Sequence, residues 1–403
     1  VAIIGGGPIG LETALAVIHA GYTARVYERG RVAESVKNWG HVTLFTPFGI
    51  NASDTGRAAL AACDIPLPGK DDLLTGREFR DRYLLPLSRL DQLTDHVYEG
   101  CEVVSLGRPH LWKGDHIGAA DRAADGFQLL IRQHTNPSTS EFVASADSVI
   151  DCSGTYTNHN WIGAGGMPAI GERAVLNAGD YLLPDVLGHD RERYANRATL
   201  IAGSGFSAAT VIVALQRLSR QFPHTRVLWL TRGPQRPPIP MIDGDVLPER
   251  RQLVEQANAL AVSDTATCRW MPAARIHQLQ HNKHGQIEVR FSVPGEPGST
   301  QTVDHVTALT GYRPDRSLYE ELQVHECYAS HGPMKLAATR LASDSSDCMA
   351  QPHTGAESLV NPEPQLFILG AKSYGRDSRF LIRTGLEQIR AVLSLLKQRE
   401  DHR

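Results

Sequence analysis

Two short apolar runs, each followed by a glycine turn and a helical apolar stripe, set the pattern of this chain. The first is VAII (1–4). It leads through GGG into PIGLETALAVIHA (Pro8–Ala20), whose apolar positions recur on one helical face, with Gly21 as a natural stop. TARVYERG then predicts a second strand and its turn, completing a βαβ start. The same order returns at RATLIAGSGFSAATVIVALQRL (197–218), with RVLWLTRG (226–233) as its second strand. Between the two lie a polar and aromatic stretch, SVKNWGHVTLFTPFGINAS, and a predicted helix, TGREFRDRYLLPLSRL (75–90). Thr75 is its N-cap and Glu78 stands three residues on. VYEGCEVVSLGR, GFQLLIRQH and SADSVIDCSGTY predict strands, and the Gly- and Pro-rich stretch 161–188 a linker and loop. Further strands are expected in QIEVRFSVPG, TQTVDHVTALTGY and PQLFILGAKSYG. An amphipathic helix, FLIRTGLEQIRAVLSLLKQRE, closes the chain.

The doubled βαβ start predicts an α/β fold of two Rossmann-like dinucleotide-binding domains, the second inserted into the first. Residues 1–164 and 306–403 form the first domain and 165–305 the second. A length of 403 residues suffices for two full cores. Hydrophobic content of 41% and charged content of 21% are those of a soluble globular protein, and a net charge of -3 gives no field to recruit nucleic acid or anionic membrane. The six cysteines are scattered without CxxC or zinc spacing, as expected in a reducing cytoplasm. No apolar run reaches membrane-spanning length. Val1 as first residue implies that a short head, Met included, precedes this numbering. HNKH, HDR, DRER and KQRED read as solvated segments.

Gly5, Gly7 and Gly10 match GxGxxG: a tight turn, a close backbone approach by a pyrophosphate, and close packing of helix on strand. The helix start supplies free N–H groups to phosphate. Glu28 ends the next strand, where a carboxylate accepts the ribose hydroxyls of an adenosine and disfavours a 2′-phosphate. FAD or NAD fits there, and FAD is the expectation adopted. Gly203, Gly205 and Ala208 form the GxGxxA variant, but its second strand ends toward Arg232, whose guanidinium suits the 2′-phosphate of NADPH, with Arg236 assisting.

Two nested dinucleotide folds resemble the two-dinucleotide-binding flavoproteins, which include thioredoxin and glutathione reductases and the flavin-containing monooxygenases. SVIDCSGTY (148–156), with Gly154, and TALTGYRPD (307–315), with Gly311, look like the family's two further glycine turns. A disulfide reductase needs a redox cysteine pair, which the spacing does not supply. The monooxygenase branch is the closer resemblance. Trp39, Asn51, Ser53, Pro66 and Pro68 follow that family's order, and Ser207 matches its GxGxS form. The resemblance implies Asn51 over the flavin, bonding a C4a-peroxyflavin or the nicotinamide amide in a dry site; a turn-forming Asn is the competing reading. It also implies cofactor contacts at Val103, at Gly370, and at the backbone N–H groups of Arg383 and Thr384 facing the flavin pyrimidine. Two departures stand out: the family's FxGxxxH-type fingerprint is replaced by WIGAGGMPAIGE, and Lys372 stands after Gly370 where reductases carry Asp. His159 borders either the site or a surface loop.

The implied activity is an NADPH-dependent FAD monooxygenase acting on N, S or carbonyl centres, with a small molecule and dioxygen as partners; a homodimer is compatible with it. The alternatives are a reductase of a disulfide, quinone or protein carrier, and a nucleotide-binding protein with an idle flavin.

Overall fold

In the computed structural model the first apolar run becomes β1 (Ala2–Ile4), buried along its whole length. Residues 1–400 are described, except 136–137, 264–266, 297, 343–346 and 351–354. The chain divides into two compact units, one of Val1–Asn158 with Arg313–Arg403, the other of His159–Tyr312. The sequence-based boundaries at 165 and 305 thus fall inside the second unit. Its two ends meet: His159 bridges Tyr312, and the Asn160 N–H donates to the Gly311 carbonyl at 2.9 Å.

The first unit continues with β2 (Arg25–Glu28), β3 (Val97–Glu99), β4 (Cys101–Gly107), β5 (Phe127–Thr135), β6 (Ser138–Ala146) and β7 (Val149–Asp151). The second holds β8 (Ala198–Ala202), β9 (Arg226–Leu230), β10 (Cys268–Met271), β11 (Arg275–His281), β12 (Ile287–Ser292), β13 (Ser299–Val303) and β14 (His305–Ala308). The chain returns to the first unit for β15 (Leu366–Ile368). There the order β15-β7-β1-β2-β3 makes a parallel sheet, and β4-β5-β6 an antiparallel one. The second unit repeats the plan with a parallel sheet β10-β9-β8-β14 and an antiparallel sheet β11-β12-β13. Each unit is Rossmann-like. Ligands of such sheets bind beyond the carboxyl ends of the strands.

Local chemistry explains the elements that frame the sites. Pro8 opens the helix Pro8–His19, where its missing N–H costs nothing. Leu11, Ala14 and Leu15 are fully buried against the first core. Thr75 and Glu78 form a capping box, but the helix they start does not run evenly to residue 90. It widens into a π-turn at Arg80–Leu84. There the Tyr83 hydroxyl donates to the buried Glu12 carboxyl at 2.5 Å.

Several elements escape the hydrophobic pattern. The helices Pro248–Val262 and Met334–Leu341 and the strands β6, β10 and β11 carry too many polar residues to show a clean period. The stretch 161–188 is no linker. Ile162, Ala169, Leu176 and Tyr181 enter the second unit's core. Glu172 organises it, fully buried, accepting from the N–H of Ile162 at 2.9 Å, the N–H of Ala169 at 2.6 Å and the Tyr181 hydroxyl at 2.7 Å.

Candidate functional site

Three glycines of the first turn meet three different demands. Gly5 has φ +99°, and a β-carbon there would lie 2.8 Å from the Cys152 carbonyl oxygen. A β-carbon on Gly10 would lie 1.8 Å from the Gly5 carbonyl oxygen, so helix and turn pack as only glycine allows. At Gly7 a β-carbon meets nothing within 4 Å. The space beside Gly7 and the N–H groups of the first helical turn, which have no acceptor within the helix, fit a diphosphate. Glu28, at the carboxyl end of β2, turns back onto this loop and accepts from the Gly6 N–H at 2.7 Å and the Gly30 N–H at 2.8 Å. A carboxylate offers about four acceptor positions, so two stay open for ribose hydroxyls.

The opposite wall comes from β7 and β15. Asp151 ends β7 and Lys372 follows β15; both side chains are buried, with Nζ 2.6 Å from Oδ2. Asp151 Oδ1 accepts from the N–H and hydroxyl of Ser153, and Lys372 Nζ donates to that hydroxyl at 3.1 Å. The Lys372 ammonium also lies 5.1 Å from the centre of the Tyr319 ring. Lys372 therefore does not replace a ribityl-binding Asp in kind; it locks the turn after β15 to the turn after β7. Sequence reasoning missed this pair because its members lie far apart along the chain. Gly154 has φ +72° and open space at its Cα, and Gly370 has φ +71°. Gln388 of the closing helix, Ile382–Glu400, accepts from the Gly370 N–H at 2.9 Å.

At that helix start the Thr384 N–H already donates to the Leu381 carbonyl at 3.0 Å. Of the two N–H groups expected to face a flavin, Thr384's is therefore engaged within its own turn. The Arg383 side chain reaches the Met349 carbonyl at 3.1 Å. Val103 is half-buried, beside an irregularity in the pairing of β4 with β5.

Trp39 packs over Gly76, whose β-carbon would lie 2.5 Å from the indole ring. The indole Nε1 of Trp39 and the Nε2 of His41 are buried without a hydrogen-bond partner among the described residues. Such orphaned groups fit a site built to be completed by a bound molecule. Asn51 is buried, and its amide closes on Thr46. The Thr46 hydroxyl donates to Oδ1 at 2.9 Å, and Nδ2 donates to the Thr46 carbonyl at 2.9 Å. This fastens the loop 46–51 and leaves one amide hydrogen over.

The second turn repeats the first. Gly203 has φ +146° and its β-carbon would lie 2.3 Å from the Leu309 carbonyl oxygen, whereas Gly205 faces open space. Ala208 is fully buried, and Ser207 is exposed in the first turn of the helix Phe206–Ser219. The Trp229 indole fixes the turn by donating to the Gly203 carbonyl at 2.7 Å. Arg232 is exposed just past β9, and Arg236 lies over the Trp270 ring at 5.2 Å. Gly311 has φ +79°, and its turn is held by Asn160 Nδ2, which donates to the Thr310 carbonyl at 3.1 Å. His159 is stacked on Tyr181 with ring centres 3.4 Å apart, inside the second unit.

The six cysteines form no disulfide with one another. Burial pushes the Cys152 thiol up to about 12 and the Cys268 thiol up to about 11. The Cys327 thiol is held below its ordinary range by hydrogen bonds from the Ser330 hydroxyl and N–H. Among the described residues no group of His, Cys, Asp and Glu is arranged to hold a metal, and no helix is long and apolar enough to cross a membrane.

No family model matches the sequence, and no curated protein matches it. Solved structures do match over nearly the whole chain. Bacillithiol disulfide reductase Bdr from Bacillus cereus aligns with TM-score 0.68 at 20% identity, covering 99% of this chain and 98% of its own. The ornithine N-hydroxylase KtzI from Kutzneria sp. 744, solved with reduced FAD, NADP+ and L-ornithine, aligns with TM-score 0.62 at 16% identity, covering 99% of each chain. Thioredoxin reductase from T. acidophilum aligns with TM-score 0.58 at 14% identity, covering 98% of each. The fold is that of the two-dinucleotide-binding flavoproteins, a fold that serves disulfide reductases and monooxygenases alike.

Proposed function

We propose that this chain is an FAD-dependent oxidoreductase that takes its electrons from NADPH and passes them to dioxygen to oxygenate a small molecule. The observation that carries the reading is the asymmetry of the two cradles. Both leave open space at the middle glycine, Gly7 and Gly205, yet one is followed by Glu28 and the other by Arg232. Bound FAD supplies the hydride acceptor and the reactivity toward dioxygen.

The chain's own residues bind, orient and exclude water. The helix start at Pro8 and the Glu28 carboxylate hold the diphosphate and ribose of FAD. Arg232 pairs with the 2′-phosphate of NADPH, with Arg236 in support. Trp39, Asn51 and the Asp151–Lys372 lock keep the site dry and in register.

An oxygenase is preferred to a dithiol reductase because the Cys152 thiol, next to the first glycine turn, is buried and hard to ionise. A reductase is the second reading. It is favoured by the Cys327 thiol, which hydrogen bonds from Ser330 hold below its ordinary range, and it predicts that a disulfide or quinone, rather than dioxygen, is the required acceptor.

The test is anaerobic reduction of the purified yellow protein with NADPH, followed by dioxygen. Bleaching and reoxidation by oxygen, with peroxide release suppressed by one added substrate, support the oxygenase. Reoxidation by a disulfide or quinone only supports the reductase. No bleaching by NADPH overturns both.

A further inference from the structure

A cavity of about 530 Å³ lies in the first unit, at the end of the parallel sheet away from the glycine turns. β1, β7 and β15 run parallel, so Gly5, Asp151 and Gly370 gather at their carboxyl ends. The cavity opens where β15 begins, among residues 360–367, the helix Met334–Leu341, the closing helix and the loop 118–120. Three strand residues rise about 10 Å, so the two ends of β15 serve different places. Every lining residue belongs to the first unit. The volume suits one small organic molecule.

The walls are mostly apolar. Met334, Val360, Leu366, Phe367 and Leu395 line them, and the loop before β15 carries two prolines, which bring no N–H. Polar chemistry enters at few points. Glu363 is 0% exposed and its carboxylate is already engaged. It accepts from Arg108 Nε at 2.9 Å, Arg122 Nη2 at 2.8 Å and the Gln323 N–H at 2.9 Å. Lys335 is the opposite case: it is exposed on the first turn of its helix and makes no ion pair among the described residues. His325, also exposed, is neutral or positive. The uncompensated charge of the lining is therefore positive.

Asn361 adds a fixed donor. It is 7% exposed, and its Nδ2 donates to the Leu366 carbonyl at 3.2 Å, which sets the orientation of the amide. The second Nδ2 hydrogen meets no acceptor among the described residues. A buried donor left over at a cavity wall fits a site completed by a bound acceptor. A purely apolar occupant would leave both this donor and Lys335 unmet, and a cation would face Lys335 as a like charge.

We propose that this cavity binds one small organic carboxylate with an apolar body, its charge at Lys335 and the Asn361 amide and its body against Leu366, Phe367 and Leu395. The site stands apart from both glycine cradles and does not depend on the oxygenase reading.

Decanoate is the probe, titrated by calorimetry below its micelle-forming concentration into the full chain as purified, with decanol as its uncharged match. Decanoate should bind at one site and more tightly than decanol. Lys335→Met should weaken decanoate by about two- to fivefold, the worth of one exposed charge, and leave decanol unchanged. Lys335→Glu should reverse the preference, taking decylamine over decanoate. Val360→Trp, which places an indole in the cavity, should abolish binding of both decanoate and decanol. The Lys335 variants alter an exposed, unpaired side chain, so they decide the matter even where Val360→Trp does not fold.

Absent or unsaturable decanoate binding overturns the proposal, as does binding that is equal in the parent and Lys335→Glu. Sedimentation at rising protein concentration tests the other occupant. A dimer that Val360→Trp breaks and decanoate leaves intact would assign the cavity to a second copy of the chain and overturn the small-molecule reading. None of these readouts involves NADPH or dioxygen, so failure of the oxygenase reading and failure of this one are told apart.

Discussion

Replacing Lys372 by Met strands a buried carboxylate. Asp151 and Lys372 are 0% and 1% exposed in their side chains, so no solvent screens the loss. Asp151 Oδ2 has no hydrogen-bond partner among the described residues, and the ammonium at 2.6 Å is its counter-charge. Removing one member of such a pair costs about 3–5 kcal/mol, because the partner's desolvation is left uncompensated. For a unit of this size each kcal/mol moves the melting midpoint by about 2–4 °C, which gives a fall of roughly 6–20 °C. The assay is calorimetric melting of the full chain, following the transition of the first unit, since the two units need not melt together. Asp151→Asn combined with Lys372→Met removes the charge while keeping the Oδ1 acceptor for Ser153. The double variant should recover most of the loss. A midpoint within about 2 °C of the parent for Lys372→Met would refute the stranded-charge argument. A double variant no better than the single would move the cause to the packing of the lysine stem.

Gly7→Ala should fold with an unchanged midpoint yet lose FAD on gel filtration, while Gly10→Ala, whose methyl would sit 1.8 Å from the Gly5 carbonyl oxygen, should yield little folded protein. Burial raises the Glu12 carboxyl above its ordinary value against the hydrogen bonds of Ser53 and Tyr83. The folded chain therefore keeps this proton after the unfolded chain has released it, and stability falls as pH rises from the ordinary carboxyl range through the raised value. Urea midpoints between pH 4 and pH 8 should show a shallower decline for Glu12→Gln than for the parent, and parallel declines would count against this assignment. Arg232→Ala should weaken NADPH by about tenfold or more and leave NADH nearly unchanged, read as Kd by fluorescence quenching; equal losses would remove the case for NADPH. Asn51→Ala frees the loop 46–51 from Thr46 and should raise the peroxide released per NADPH oxidised. Unchanged coupling would leave Asn51 with a fastening role alone.

What could be read from the sequence was whatever depends on backbone geometry. Gly5, Gly10 and Gly203 occupy positions where a β-carbon meets a carbonyl oxygen, so their spacing betrays the turn. The place of Glu28 at the end of β2 was legible for the same reason, since the strand follows that turn at a fixed remove. Side chains paired across the fold left no local trace: Lys372 reaches Ser153 over 219 positions. The stretch 161–188 looked like a linker because its order comes from one buried carboxylate, Glu172, and not from a period. The helix Pro248–Val262 was hidden by its charged first turn, Pro-Glu-Arg-Arg, although Arg250 is buried on Asp245 at 2.5 Å.

The order of the strands also fixes an order in time. β7 needs β15 as its outer neighbour, yet residues 159–312 and more must be synthesised between them. Until Leu366–Ile368 emerge from the ribosome, β7 is an open edge. The residues of the closing helix that cover the first core, Leu386, Ile389, Val392 and Leu396, come later still. The inserted unit, whose ends already meet, has all its strands in hand sooner. Its strands are all synthesised before the sheet of the first unit can be completed, and that sheet keeps an unpaired edge until the last stretch of translation.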